Sequence, residues 1–164
     1  MENASKALLM AAGILISMMV ISLALYLFIT FGNASKNTHK KNEENQLAQF
    51  NSQFTSYANK SEGVNIYDVI TMANLAKDNN ENYGLTKSDE GENSYYIAVC
   101  FRDFYNTRYD NLENNTQDQY NELIKKHSNL ASIEKEKIIQ KTYNCKVDIS
   151  NVTGRVYKVT ITEK

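Results

Sequence analysis

Two cysteines, two histidines and a few adjacent carboxylates are the residues here whose types allow chemistry beyond folding. Cys100 and Cys145 are candidate nucleophiles, but reactive sulfur needs a nearby cation or base and partial exposure. Both lie inside strand-like runs, where a buried, inert or disulfide-bonded sulfur is the ordinary outcome. His39 falls in a polar stretch, and His127 sits near the end of an expected helix, where an imidazole interacts with the last carbonyls. Neither has partners at metal-ligand spacing, since there is no His-Glu-x-x-His, no Cys-x-x-Cys and no acidic calcium loop. Glu43-Glu44 and Asp89-Glu90 lie in polar stretches, where solvation keeps their proton affinity ordinary. The six glycines are scattered and make no phosphate cradle. We therefore expect no catalytic residues, no cofactor, no metal and no small-molecule substrate.

The elements that carry these residues begin with an uncharged run from Ala7 to Gly32. A helix needs only about 20 residues to cross the roughly 30 Å hydrocarbon core, so this run is long enough to span with some tilt. A secretory signal peptide is the rival reading, because Gly32-Asn33-Ala34 has the small-x-small form of a cleavage site, but apolar regions of about 7–15 residues are usual there. Within the run, Ala7-x-x-x-Ala11 and Gly13-x-x-x-Ser17 are small-residue pairs, and Gly13 and Ser17 are the candidate helix-packing positions. The 18 basic and 19 acidic residues are interspersed, giving a net charge of -1, so no nucleic-acid footprint is expected.

The expected organisation is a short tail (1–6), a transmembrane helix (7–32), a helical extension (33–60) and an α+β extramembrane domain (61–164). Leu47, Phe50, Phe54 and Tyr57 recur on one helical stripe, which requires a partner surface. Ser61-Glu62-Gly63 breaks that helix, and a short second helix opens near Asn65 with Ile66, Val69, Ile70 and Ala73 on one face. The polar stretch from Asp78 to Asn93 reads as an exposed loop. Tyr95 to Phe101 has strand composition, and Thr116-Gln-Asp-Gln119 has the capping-box form ahead of Tyr120, Leu123, Ile124 and His127. A further short helix is expected from Ser132 to Gln140, although Ile138 and Ile139 equally suit a strand start. Tyr143 to Ile149 and Arg155 to Thr162 alternate about the turn residues Asn151 to Gly154, which predicts an antiparallel hairpin. In it Tyr143, Cys145, Val147 and Ile149 would face the core with Tyr157, Val159 and Ile161. A lone hairpin is marginal in water, so Tyr95 to Phe101 should join it. The expected fold is α+β: a long N-terminal helix, transmembrane in its first half, packed on a small antiparallel sheet with additional short helices.

The opening Glu2-Asn-Ala-Ser-Lys-Ala-Leu8, the span, Phe50-Asn-Ser-Gln-Phe-Thr-Ser-Tyr57, Val64 and Val69-Ile70-Thr-Met-Ala-Asn74 together resemble a group of short, uncharacterised membrane-anchored proteins of low-GC Gram-positive bacteria. The layout is also similar to type IV pilins and pseudopilins, whose long helix is membrane-embedded in its first half and packs on an antiparallel sheet in its second. This resemblance implies a non-enzymatic anchored subunit, with the lipid bilayer, a second copy or an envelope complex as partners. The alternative is a membrane-tethered protein-binding module, a sensor or accessory subunit using the Asp78–Asn93 loop or a Tyr-rich surface. A count of positive charges, with Lys36, Lys40 and Lys41 after the span against Lys6 before it, would place the domain inside. The pilin-like layout places it outside, where a Cys100–Cys145 disulfide would close a loop of about 45 residues at a gain on the order of 4 kcal/mol. The expectation is an extracytoplasmic domain carrying that disulfide.

Overall fold

The computed structural model describes residues 2–131 and 141–164. The chain divides into two compact units, Met1–Gln46 and Leu47–Lys164. Helix α1 runs Glu2–Ala58 and contributes to both. Its first part carries apolar side chains on every face, all of them exposed, and it is long and apolar enough to cross a membrane. An apolar surface all round, with no partner among the described residues, suits a lipid surround.

The second unit is α+β. It comprises the last turns of α1, α2 (Ile66–Asn82), β1 (Ala98–Arg102), β2 (Arg108–Tyr109), α3 (Gln117–Ala131), β3 (Tyr143–Ile149) and β4 (Val156–Glu163). The four strands form one sheet in the order β2-β1-β4-β3. Helix boundaries follow local chemistry. Asn65 caps α2 through a reciprocal pair in which its side chain accepts from Asp68 N–H while its own N–H donates to the Asp68 carboxylate. Thr116 and Gln119 make the expected box at α3. The expected helix at 132–140 lies outside the described residues.

The core lies on one sheet face. Ile97, Val99, Phe101, Val159 and Ile161 meet Phe54 from α1, Val69, Met72, Ala73 and Ala76 from α2, and Tyr120 and Leu123 from α3. The stripe predicted on α1 is therefore met by its own domain, with Phe54 fully buried and Phe50 and Tyr57 packed beside it.

Three details differ from the sequence reading. The hairpin β3–β4 is antiparallel, but β1 pairs with β4 in parallel, so the sheet is mixed. Alternation fixes which face a residue occupies and leaves the direction of a neighbouring strand open. Helix α2 extends to Asn82, consuming the start of the expected loop. Finally, a shift between Asp148 and Ile149 pairs Ile149 with Val156. The extra residue, Tyr157, lies on β4 and reverses that strand's facing pattern, so Val156 is buried and Tyr157 is only half-buried, while Ile149 at the end of β3 is 45% exposed.

Candidate functional site

Among the described residues, the two most deeply buried carboxylates belong to Asp103 and Glu113, at 1% and 0% exposure. Asp103 follows β1 and organises the turn into β2: its Oδ1 accepts from the N–H groups of Tyr105 (2.9 Å) and Thr107 (2.8 Å). Asn106 takes the left-handed conformation that the tight turn requires. Lys126 on α3 donates to Asp103 Oδ2 and lies 4.5 Å from the Tyr105 ring centroid. Burial works to raise the Asp103 pKa, but the Lys126 hydrogen bond, with those from Thr107 and Tyr105, outweighs it and holds the carboxyl below its usual range.

Glu113 has a different task. Its Oε1 accepts from the Tyr96 hydroxyl (2.6 Å) and its Oε2 from Val99 N–H (2.8 Å). Beside it Asn80 accepts from Ile97 N–H (2.9 Å) and donates to Ile97 C=O (3.0 Å), while Asn79 donates to Tyr95 C=O (2.8 Å). These side chains satisfy the outer edge of the chain entering β1 where the two-residue β2 does not reach. Burial pushes the Glu113 pKa up, partly offset by the bonds from Tyr96 and Val99. The sequence reading placed Asn79 and Asn80 in a loop. The signal that finds them is the continued helical spacing Val69, Ala73, Ala76, Asn80.

The expected disulfide is absent, because Cys100 and Cys145 are both free. Cys100 lies on β1 opposite Thr160 of β4, and Cys145 lies on β3 opposite Ile161. Adjacent β4 residues point to opposite faces, so the thiols face opposite sides of the sheet with a whole strand between them, roughly 9–10 Å across. A disulfide requires α-carbons within about 7 Å and converging side chains. Cys145 instead contacts Met72 Sδ at 3.7 Å inside the core, and burial pushes its thiol up to about 11. Burial also raises Cys100.

His127 is half-buried near Phe101 and Tyr143, with Nδ1 2.7 Å from the Leu123 carbonyl one turn back, which it meets as a donor. His39 is exposed on α1. Among the described residues no three His, Cys, Asp or Glu side chains gather to hold a metal. An open cleft of about 210 Å³ between β2 and α3 is lined by Tyr109, Asn115, Gln119, Glu122, Leu123 and Lys126.

A further polar junction holds the last turns of α1. Asn51 donates to Gly154 C=O (2.8 Å) and accepts from Val156 N–H (3.0 Å), grasping the β3–β4 turn from both sides. The Arg155 guanidinium lies 3.8 Å from the Phe50 ring centroid, 4.8 Å from Tyr95 and 5.4 Å from Tyr83, and donates to Asn79 Oδ1 at 3.0 Å. Searches of protein-family models, of curated proteins and of solved structures find no match. The geometry thus speaks for itself. Among the described residues, the buried polar groups Asp103, Glu113, Asn79 and Asn80 close turns, strand edges and helix contacts, and Arg155 with Asn51 ties the α1 end into the sheet. Gly13 and Ser17 lie on the exposed apolar part of α1, where Ser17 donates to the Gly13 carbonyl at 2.8 Å and a Cβ at Gly13 would meet nothing within 4 Å.

Proposed function

We propose that this chain is a membrane-anchored, pilin-like structural or assembly subunit without enzymatic activity, displaying its α+β unit at the cell surface. One observation carries the reading: the helix that bears the membrane-competent run supplies, through Phe50, Asn51 and Phe54, part of the core of the folded unit. Such a division of one helix between lipid and protein suits a subunit that is held by, and assembles at, a membrane. The Gly13 and Ser17 pair supports close approach of a second span. Homo-oligomers that survive mild detergent extraction, and that weaken when Gly13→Leu and Ser17→Leu are combined, are the expected result. A protein that stays monomeric under crosslinking in native membranes ends the proposal.

The outward orientation rests on the pilin-like layout alone, because the free cysteines remove the disulfide that argued for an oxidising side, and Lys36, Lys40 and Lys41 weigh against it. Protease treatment of intact cells decides the matter, and full protection of the C-terminal unit reverses the topology. The binding-module alternative keeps support from the exposed tyrosines Tyr67, Tyr83, Tyr95 and Tyr105.

A further inference from the structure

Strand β3 ends the sheet, and its outer side is a row of backbone groups. Among the described residues only Val64 pairs with it, exchanging both hydrogen bonds with Tyr143 (2.9 and 2.8 Å). Because Tyr143 bonds outward, the residues two and four further on, Cys145 and Val147, present their N–H and C=O outward as well. Their side chains face the core side, whereas Lys146 and Asp148 lie on the opposite face, 2.7 Å apart. We infer that this edge pairs antiparallel with the same edge of a second copy, about a two-fold axis at Val147. The inference rests on the self-assembly proposed above.

Charge and register select that axis. Centring the pair on Val147 sets Lys146 opposite Asp148 of the other copy and Asp148 opposite Lys146, so both exposed positions meet an opposite charge. Val147 then meets its own counterpart as a hydrogen-bonded pair, and Cys145 lies across from the exposed Ile149. Centring on Lys146 or on Asp148 instead puts like charges directly opposite, which is destabilising. Centring on Cys145 requires the outward groups of Tyr143, which Val64 already holds. An axis on Ile149 avoids both problems but sets Asp148 opposite Ser150 and Lys146 opposite Val152, so neither charge meets an opposite one, and of these axes the one on Val147 alone pairs both. An isologous contact of this kind is self-complementary and closes on itself.

The test uses the full-length chain in mild detergent and in native membranes, read by sedimentation and by chemical crosslinking. Lys146→Asp and Asp148→Lys each place like charges across the axis at two positions, and each weakens the dimer by about tenfold. The double exchange Lys146→Asp with Asp148→Lys restores complementarity across the axis and recovers the dimer. Because it also restores the pair within each chain, thermal melts are read beside it. Dimer loss in the single variants without a change in melting is the expected result, whereas dimer loss that follows a lowered melting temperature overturns the inference. Val147→Pro removes an outward N–H that has no partner among the described residues, a change edge strands tolerate, and abolishes pairing. Oligomers indifferent to all four variants but lost in the Gly13→Leu, Ser17→Leu chain overturn the edge inference and leave the assembly reading standing. Crosslinking of the edge to a different protein, with no second copy, also overturns it. An absence of any oligomer in native membranes overturns both.

Discussion

Asp103 and Glu113 are both buried carboxylates, yet their pKa values move in opposite directions, and that difference is measurable as stability. Asp103 is held below its unfolded value, so its contribution is present above about pH 4 and is lost as pH falls through the folded value. Glu113 is raised, so its contribution is present below about pH 4 and is lost as pH rises through the folded value. Glu113→Gln should therefore flatten the loss of thermal stability as pH rises above about 4, while Glu113→Ala, which strands Tyr96 and Val99 N–H, should cost roughly 3 kcal/mol. Asp103→Asn keeps an oxygen for the turn amides but weakens the tie to Lys126, for about 2 kcal/mol at neutral pH once the partial exposure of Lys126 is allowed for. Circular dichroism melts of the detergent-solubilised chain across pH check all three, and identical pH profiles for wild type and Glu113→Gln would sink the assignment. The cysteines yield a second prediction. With the Cys145 thiol at about 11, less than about 0.1% is thiolate at pH 7.5. Iodoacetamide should add slowly to the native protein and to both cysteines after unfolding without reductant; unfolded protein without adducts would restore the disulfide.

At the scale of elements, two glycines with positive φ make contrasting predictions. Gly63 has φ +87°, and a Cβ there would lie 2.7 Å from the Tyr143 carbonyl oxygen, the group that accepts from Val64. Gly63→Ala should cost about 2–3 kcal/mol and loosen the Val64–Tyr143 bridge, seen as faster amide exchange at both residues. Gly154 has φ +69°, but its Cβ would meet only the tip of Leu47 at 3.0 Å, so Gly154→Ala should cost nearer 1 kcal/mol. Equal costs would mean that the Tyr143 contact is not what requires Gly63. The elements were legible where apolar periodicity was strong: the α1 stripe, the start of α2, the α3 cap and the two hairpin strands follow directly from residue spacing. They were illegible where polar residues are buried. Asn79, Asn80 and Glu113 look like surface in one dimension, and only the neighbouring strand edge gives them a reason to be inside. The parallel β1–β4 pairing was hidden for a related cause, since strand neighbours are chosen by connections through β2, α3 and β3 that local patterns do not encode.

At the scale of the whole molecule, the boundary between the two compact units falls inside a helix, between Gln46 and Leu47, although sequence composition suggests the break at Ser61-Glu62-Gly63. The two positions predict different behaviour on truncation. Cutting before Leu47 removes the apolar run and the polar turns after it but keeps every core residue, including Phe54, together with both Asn51 hydrogen bonds and the Phe50 ring against Arg155. Cutting before Ser61 removes a fully buried phenylalanine, which alone is worth about 3–5 kcal/mol, and leaves the Arg155 side chain and the Val156 amide without those partners. The combined loss approaches the roughly 5–15 kcal/mol that holds a domain folded. The chain 47–164 should therefore be a soluble domain that unfolds cooperatively with dispersed amide resonances, and the chain 61–164 should be aggregated or only partly folded under the same conditions. If 61–164 instead folds as well as 47–164, the last turns of α1 merely rest on the domain, and the shared helix no longer supports a pilin-like subunit.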